Sequence, residues 1–349
     1  MQTANTQQNR SHASHCDALP VSVSFIIEWA NTEYNGVPRF FTLLDIIAHQ
    51  WRGMTNKTYP ATLPAEARHF LEKLNPKPEV LVVAGEKIAP DTLQKITDHS
   101  PDIFDPVIHV KEGLEYYALK NFGASLASGD ILCFLDSDVH PDEGWLTNLL
   151  GSFADPDICG IAGQPYVEQV DLFSRAFALG WTYQLPDRTE HVVRSEKWYA
   201  NNVAFRAKIF HQVTFPKLDR RTRGARHLID QELAKLGHIV YENRQALVNH
   251  PAPSSWKHMI IRALAHGRDI YMTNSEERTF QGFVYCQKLV AKRLGHGISN
   301  TLNNWRKVGL KLYETVPAIL IITSYYFFFS LGGILTHISP KIMGRHFRL

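Results

Sequence analysis

Asp136-Ser137-Asp138 follows directly on the apolar run Ile131–Leu135. A short apolar run bounded by polar residues reads as a buried strand, which places two carboxylates at a strand's carboxyl end. Side chains two apart on an extended turn can point into one site. Oxygen ligands of that kind suit a hard divalent cation such as Mg2+ or Mn2+, which bridges phosphates. A solvated turn or a helix cap is the plain alternative for an isolated Asp-x-Asp. Further along, Arg220, Arg221, Arg223 and Arg226 surround Gly224. They read either as a mobile lid over phosphate oxygens or as a solvated loop.

The elements around this pair decide between those readings. Val21–Ile27 is β-branched and apolar and predicts a first strand; a polar loop, 31–36, leads into a helix carrying Phe40, Leu43, Leu44 and Ile47 at helical spacing. The alternation repeats. Glu79–Ala84 predicts a strand, Asp91–His99 a helix, Pro106–Val110 a strand, Tyr116–Ala127 a helix and Ile131–Leu135 a strand. Strands alternating with helices imply an α/β fold with a mainly parallel sheet covered on both faces, and such sheets bind ligands at their strands' carboxyl ends. Asp136 and Asp138 stand at such an end. The second half is less regular: Ala200–Phe205, Ile239–Tyr241 and Ala246–Val248 predict short strands and Leu228–Leu236 an amphipathic helix.

Composition excludes several classes. With 37 Lys+Arg against 34 Asp+Glu in 349 residues, the chain lacks the concentrated basic excess of a nucleic-acid binder, so no nucleic-acid partner is expected. Cys16, Cys133, Cys159 and Cys286 form no Cys-x-x-Cys pair, which argues against a zinc knuckle or redox site and for a reducing compartment. Residues 1–19 are polar and aperiodic and read as a disordered lead rather than a signal peptide. The segment Val316–Thr336 carries no charge and is long enough to cross a hydrocarbon core, or to form a helix buried in the domain or a dimer. Before it, Lys288, Lys292, Arg293, Arg306, Lys307 and Lys311 are interspersed with apolar residues, as on a segment lying against an anionic membrane; Lys341, Arg345 and Arg348 follow it.

The block running from Lys120-Asn121-Phe122-Gly123 through Ser128-Gly129-Asp130 and the apolar strand to Asp136-Ser137-Asp138 closely resembles the core signature of the family 2 nucleotide-sugar glycosyltransferases. The resemblance, to members of the membrane-associated bacterial type, extends from Val21 to about Arg268. It implies a GT-A fold, a nucleoside diphosphate sugar as donor, and Mg2+ or Mn2+ held by Asp136 and Asp138. Asn31 and Glu33 match the opening loop that helps hold the nucleotide, with Glu28-Trp29-Ala30 in place of the usual Pro-x-Tyr; Glu86 stands where one or two aspartates near the base are usual. Lys120 and Asn121 match the donor-side helix. Asp230, in Asp-Gln-Glu-Leu-Ala, matches the catalytic base of inverting members, with Ile229 in place of the family's Glu. A base of that kind takes the acceptor hydroxyl's proton as the sugar–phosphate bond breaks; a helix N-cap is the alternative. His250 matches a terminal histidine able to join the metal shell, and Arg262 and Arg268 an arginine-rich segment suited to diphosphate. Asn201 and Asn202 match the stretch lining the acceptor side. The Gln-x-x-Arg-Trp motif of processive synthases is absent, so transfer of a single sugar is expected.

The division expected is a disordered lead over 1–19, a glycosyltransferase domain over 20–270, basic amphipathic interface helices over 271–315, a transmembrane or re-entrant helix over 316–338, and a basic tail over 339–349. A lipid-linked or cell-envelope glycan acceptor and a place on the cytoplasmic face of the inner membrane follow from the tail and from the cytosolic donor. Deletion from Val316 onward is expected to leave a soluble chain that still hydrolyses donor. Two other readings stand beside this one: a catalytically silent membrane-bound scaffold, and a dinucleotide-dependent oxidoreductase. The missing Gly-x-Gly-x-x-Gly after the first strand counts against the latter.

Overall fold

The computed structural model describes residues 20–181, 183–187, 191–195, 197–218, 225–274 and 279–339. The polar lead, Arg220, Arg221, Arg223 and Gly224, and the basic residues after the last helix lie outside them. The elements in chain order are β1 (Val23–Glu28), α1 (Thr32–Asn35), α2 (Val37–Thr55), α3 (Ala65–Leu71), β2 (Glu79–Ala84), α4 (Pro90–Asp98), β3 (Val107–Val110), α5 (Tyr116–Leu126), β4 (Ile131–Asp136), β5 (His140–Pro141) and α6 (Trp145–Gly151). The second half contributes β6 (Gly160–Val167), α7 (Leu172–Gly180), β7 (Val192–Arg194), β8 (Asn202–Arg206), α8 (Ala207–Val213), α9 (Ala225–Lys235), β9 (Val240–His250), α10 (Trp256–Asn274), α11 (Phe280–Asn304) and α12 (Thr315–Ile338).

All strands join one sheet in the order β3-β2-β1-β4-β8-β6-β9-β5, with β7 also on β9. The first four run parallel, as the alternating sequence predicts. From β8 onward the pairing is mixed: β8 lies antiparallel to both β4 and β6, while β6 and β9 are parallel. β9 joins the two short strands read at Ile239–Tyr241 and Ala246–Val248 into one. Its register on β6 slips between Gly163 and Gln164, where Asn243 Oδ1 accepts from the Gln245 N–H at 3.0 Å. That local turn is why the sequence reads there as a loop.

β1 is buried along its whole length. Its alternation sends Phe25 and Ile27 into a core with α2, α3 and α6, and Ile26 into the opposite core with α5, α8 and α9. A third core is built by α7, α10, α11 and α12 around Phe177, Met259, Ala263, Ile322, Tyr325 and Phe329. In it, α12 lies along α10 at backbone distance: a Cβ at Gly267 would stand 1.9 Å from the Phe329 carbonyl oxygen. Leu312–Ile338 is long and apolar enough to cross a membrane, but 44% of its most apolar stretch is buried inside the protein. Tyr325 takes a hydrogen bond from Trp181 Nε1 at 3.0 Å and pairs with His266, and Tyr326 OH donates to the Gly180 carbonyl at 2.8 Å. The apolar run is therefore a packed structural helix on one face. Hydropathy alone could not show this, because it records composition and not what covers a residue.

Candidate active site

β1 and β4 are neighbours in register, so Glu28 and Asp136 end their strands side by side. β5 then turns back onto the end of β9, with His140 opposite Asn249, and this brings His250 to the turn after β4. Asp136, Asp138 and His250 come together with potential ligand atoms within 4.8 Å of one another, all three side chains buried. His250 Nδ1 lies 2.7 Å from the Pro251 carbonyl oxygen and can only donate to it, which leaves the Nε2 lone pair facing Asp138 Oδ2 at 3.7 Å. Burial keeps the His250 pKa low, hence the ring neutral and able to ligate.

The protein satisfies these carboxylates unequally. Asp136 Oδ1 accepts from Lys120 Nζ at 2.8 Å and Tyr116 OH at 2.7 Å, and Oδ2 from Asn31 Nδ2 at 3.1 Å. Asn31 also donates to Glu28 Oε1 at 2.8 Å. Asp138 Oδ2 accepts from Asn35 Nδ2 at 2.8 Å, while Oδ1 is buried with no hydrogen-bond partner. Burial, then the charge of Asp136, pushes Glu28 up to about 8, against the pull of Lys120. Carboxylates this crowded, one oxygen unpartnered beside a neutral imidazole, present a donor set that fits Mn2+ or Mg2+.

The cluster floors a cleft of about 1990 Å³ that opens past the carboxyl ends of β1, β2, β3 and β4, lined there by Trp29, Asn31, Glu86, Lys111 and Asp136. Asn201 lines it and donates to Tyr183 OH at 3.0 Å. Arg262 lines it too, its guanidinium 5.3 Å over the Trp181 ring. Glu86 stands exposed at the rim, and the side chain of Glu33 lies outside the described residues.

Four expected residues are engaged in other ways. Lys120 is wholly buried and neutralises Asp136, donating also to the Leu135 carbonyl at 2.9 Å, so it supports the metal set from behind. Asn121 clamps the backbone of Phe215, donating to its carbonyl at 2.7 Å and accepting from its N–H at 2.9 Å. Asn202 faces away from the cleft: on a strand, neighbours point to opposite faces, and its amide bonds Trp145 Nε1 at 2.8 Å and the Ala246 carbonyl at 3.1 Å. Arg268 is buried and holds Asp269 with Nε at 2.9 Å and Nη2 at 2.8 Å, although part of it reaches the cleft wall.

Asp230 sits on α9, one shell behind the cleft lining. Trp198 Nε1 donates to its Oδ1 at 2.8 Å, and Arg226 stands 3.7 Å from Oδ2; both partners line the cleft. Glu28, Asn35, Arg39, Tyr116 and Trp198 were not anticipated as site residues. Arg39 ties the turn together, donating from Nε to the Asp138 carbonyl at 2.5 Å and pairing with Glu168 at 3.0 Å. Among these, Glu28 alone carried a sequence signal, as a carboxylate ending a mostly apolar strand.

The fold and the metal-type cluster define a GT-A glycosyltransferase domain, and the comparisons agree. Residues 57–215 match the family described as Glycosyl transferase family 2. It is 26% identical over 188 residues to the Glucosyl-dolichyl phosphate glucuronosyltransferase of Haloferax volcanii, covering 49% of this chain and 58% of that protein. It is 41% identical over 56 residues to the Pre-mycofactocin glycosyltransferase of Mycobacterium tuberculosis, covering 16% of this chain and 12% of that one. The chain thus spans little more than half of the first relative and a short piece of the second. A solved mannosyltransferase from Pyrobaculum calidifontis, in complex with GDP-Man and Mn2+, shares the fold with a TM-score of 0.53 at 14% identity, over 92% of this chain and 88% of that one.

Proposed function

We infer that this protein transfers a single sugar from a nucleoside diphosphate sugar to an acceptor hydroxyl, with inversion at the anomeric carbon. The observation that carries the reading is the buried, unpartnered Asp138 Oδ1 beside Asp136 and His250 at the floor of the strand-end cleft. A divalent cation bound by Asp136, Asp138 and His250 would neutralise the leaving diphosphate. Asn31 and Lys120 fix the Asp136 carboxylate, Arg262 offers a guanidinium on the cleft wall, and Asp230 takes the acceptor proton once Trp198 and Arg226 admit the hydroxyl. A silent scaffold would have no use for a carboxylate oxygen buried without a partner, which costs stability.

A lipid-linked acceptor is supported by the dolichyl phosphate glycan named for the Haloferax relative and by the apolar α12. Cytosolic nucleotide sugars place the cleft on the cytoplasmic side of a membrane. The test is a panel of nucleotide sugars incubated with full-length protein and Mn2+. Release of nucleoside diphosphate from one donor, abolished by EDTA, is expected; no release from any, and no donor binding, would refute the reading.

A further inference from the structure

α12 is apolar on both of its faces, and the protein covers one of them. Val316, Leu320, Phe327 and Ile338 are 61–69% exposed, and their spacings of 4, 7 and 11 residues put them on a single stripe at 3.6 residues per turn. The stripe continues into the preceding turn through Leu312 and Tyr313, 69% and 68% exposed, where Lys307 and Lys311 are also exposed. Neighbouring α11 is mixed: Lys288, Lys292, His296, Ser299 and Asn303 are exposed along its middle and end, with Phe280, Tyr285 and Leu302 exposed toward its two ends. An exposed apolar stripe of this size on a monomer marks an interaction surface, and its basic border fits an anionic one.

Packing decides how α12 can meet lipid. α11 runs antiparallel along it, with Gly297 against Ile322 at one end and Cys286 against Gly333 at the other. Lys288 and Lys292 of α11 therefore share the level of Phe329 and Ser330, midway along the apolar run; Ser330 Oγ donates to Gln287 Oε1 at 2.5 Å. On the other side α10 carries Arg268 and Asp269, next to Gly267 at the α12 crossing. A spanning α12 would carry the exposed Lys288 and Lys292, and the buried Arg268–Asp269 pair behind them, to the level of the hydrocarbon core, where charged side chains are strongly disfavoured.

We propose that α12 lies in the plane of an anionic bilayer, with Val316, Leu320, Phe327 and Ile338 embedded in one leaflet and Lys307 and Lys311 at the headgroups. The protein body takes the place of the polar face of an interfacial helix, and α12 does not cross. This deepens the proposed function by fixing how the cleft is held against a membrane-borne acceptor. Vesicle binding is read without donor or metal, so its failure is distinct from failure of the transferase reading.

The experiment floats full-length protein on sealed vesicles of phosphatidylcholine with and without phosphatidylglycerol. The wild type is expected to float, more strongly with the anionic lipid. Phe327→Glu or Leu320→Glu is expected to weaken partitioning about tenfold or more, the loss of one buried large side chain, without a change in melting temperature. Lys307→Glu with Lys311→Glu is expected to erase the preference for phosphatidylglycerol. Protease added outside the vesicles is expected to remove an epitope placed after Leu349 from all bound protein. Failure to float, floating unaffected by Phe327→Glu, an epitope protected inside the vesicles, or a dimer that Phe327→Glu dissociates while vesicles bind neither form, would each overturn the proposal.

Discussion

Replacing Asp138 by asparagine separates stability from metal binding, because the present carboxylate is costly to the metal-free fold. The nearest potential ligand atoms of Asp136 and Asp138 lie within 4.8 Å. At an effective dielectric of about 20, two unit charges at that distance repel by about 3.5 kcal/mol. Asparagine keeps an oxygen for Asn35 Nδ2 but buries an amide N–H where Oδ1 now has no partner, at a cost of about 1–3 kcal/mol. The balance favours the variant by about 0.5–2.5 kcal/mol. With about 2.1 cal/mol/K of unfolding entropy per residue, each kcal/mol moves the melting temperature of a 349-residue chain by about 1.4 °C. Asp138→Asn should then melt ~0.7–3.5 °C above wild type in EDTA. Mn2+ at a hundred times its Kd adds about 2.7 kcal/mol to wild type, or ~4 °C, and nothing to the variant. Calorimetric melts with and without Mn2+ read both effects. A variant that melts well below wild type in EDTA, or one still raised by Mn2+, would refute the assignment of Asp138 as a metal ligand held at the expense of stability.

Deletion from Thr315 onward should abolish donor turnover and lower the melting temperature sharply, because Tyr325 braces His266 and Trp181 at the cleft wall; a soluble, fully active truncation would show that the helix is dispensable. Cys133, Cys159 and Cys286 are buried, and burial raises each thiol pKa, that of Cys286 to about 11. Native protein should therefore leave these three unreactive to Ellman's reagent at neutral pH, with all of them titrating in denaturant; rapid native labelling of any one would contradict the packing.

The sequence carried the site's core because its geometry is local to strand ends. An apolar run closing in Asp136-Ser137-Asp138 after alternating strands and helices has few places to go but the carboxyl edge of a sheet. What it could not convey is direction and partnership. Asn201 and Asn202 look equivalent as text, yet the two-residue period of a strand sends one to the cleft and the other to Trp145. Asn121 reads as a donor ligand; it lines the cleft, and what the sequence could not show is that its amide is held by the backbone of Phe215, 94 residues away. Asn35 and Arg39 reach Asp138 across about 100 positions, from the end of α1 and the start of α2. The apolar tail shows the same limit: hydropathy marks Leu312–Ile338 as a candidate span but does not show that α10 and α11 cover one of its faces.

The division of labour between the metal cluster and Asp230 is tested most directly by measuring donor Kd and kcat for Asp230→Asn beside wild type, in Mn2+, with the donor found in the nucleotide-sugar panel. Asparagine can still accept from Trp198 Nε1 but cannot take a proton, so the expected result is a Kd within about threefold of wild type and a kcat lower by about 10²–10⁴-fold. A kcat near wild type, or a loss of donor affinity as large as the loss of rate, would contradict Asp230 as the base.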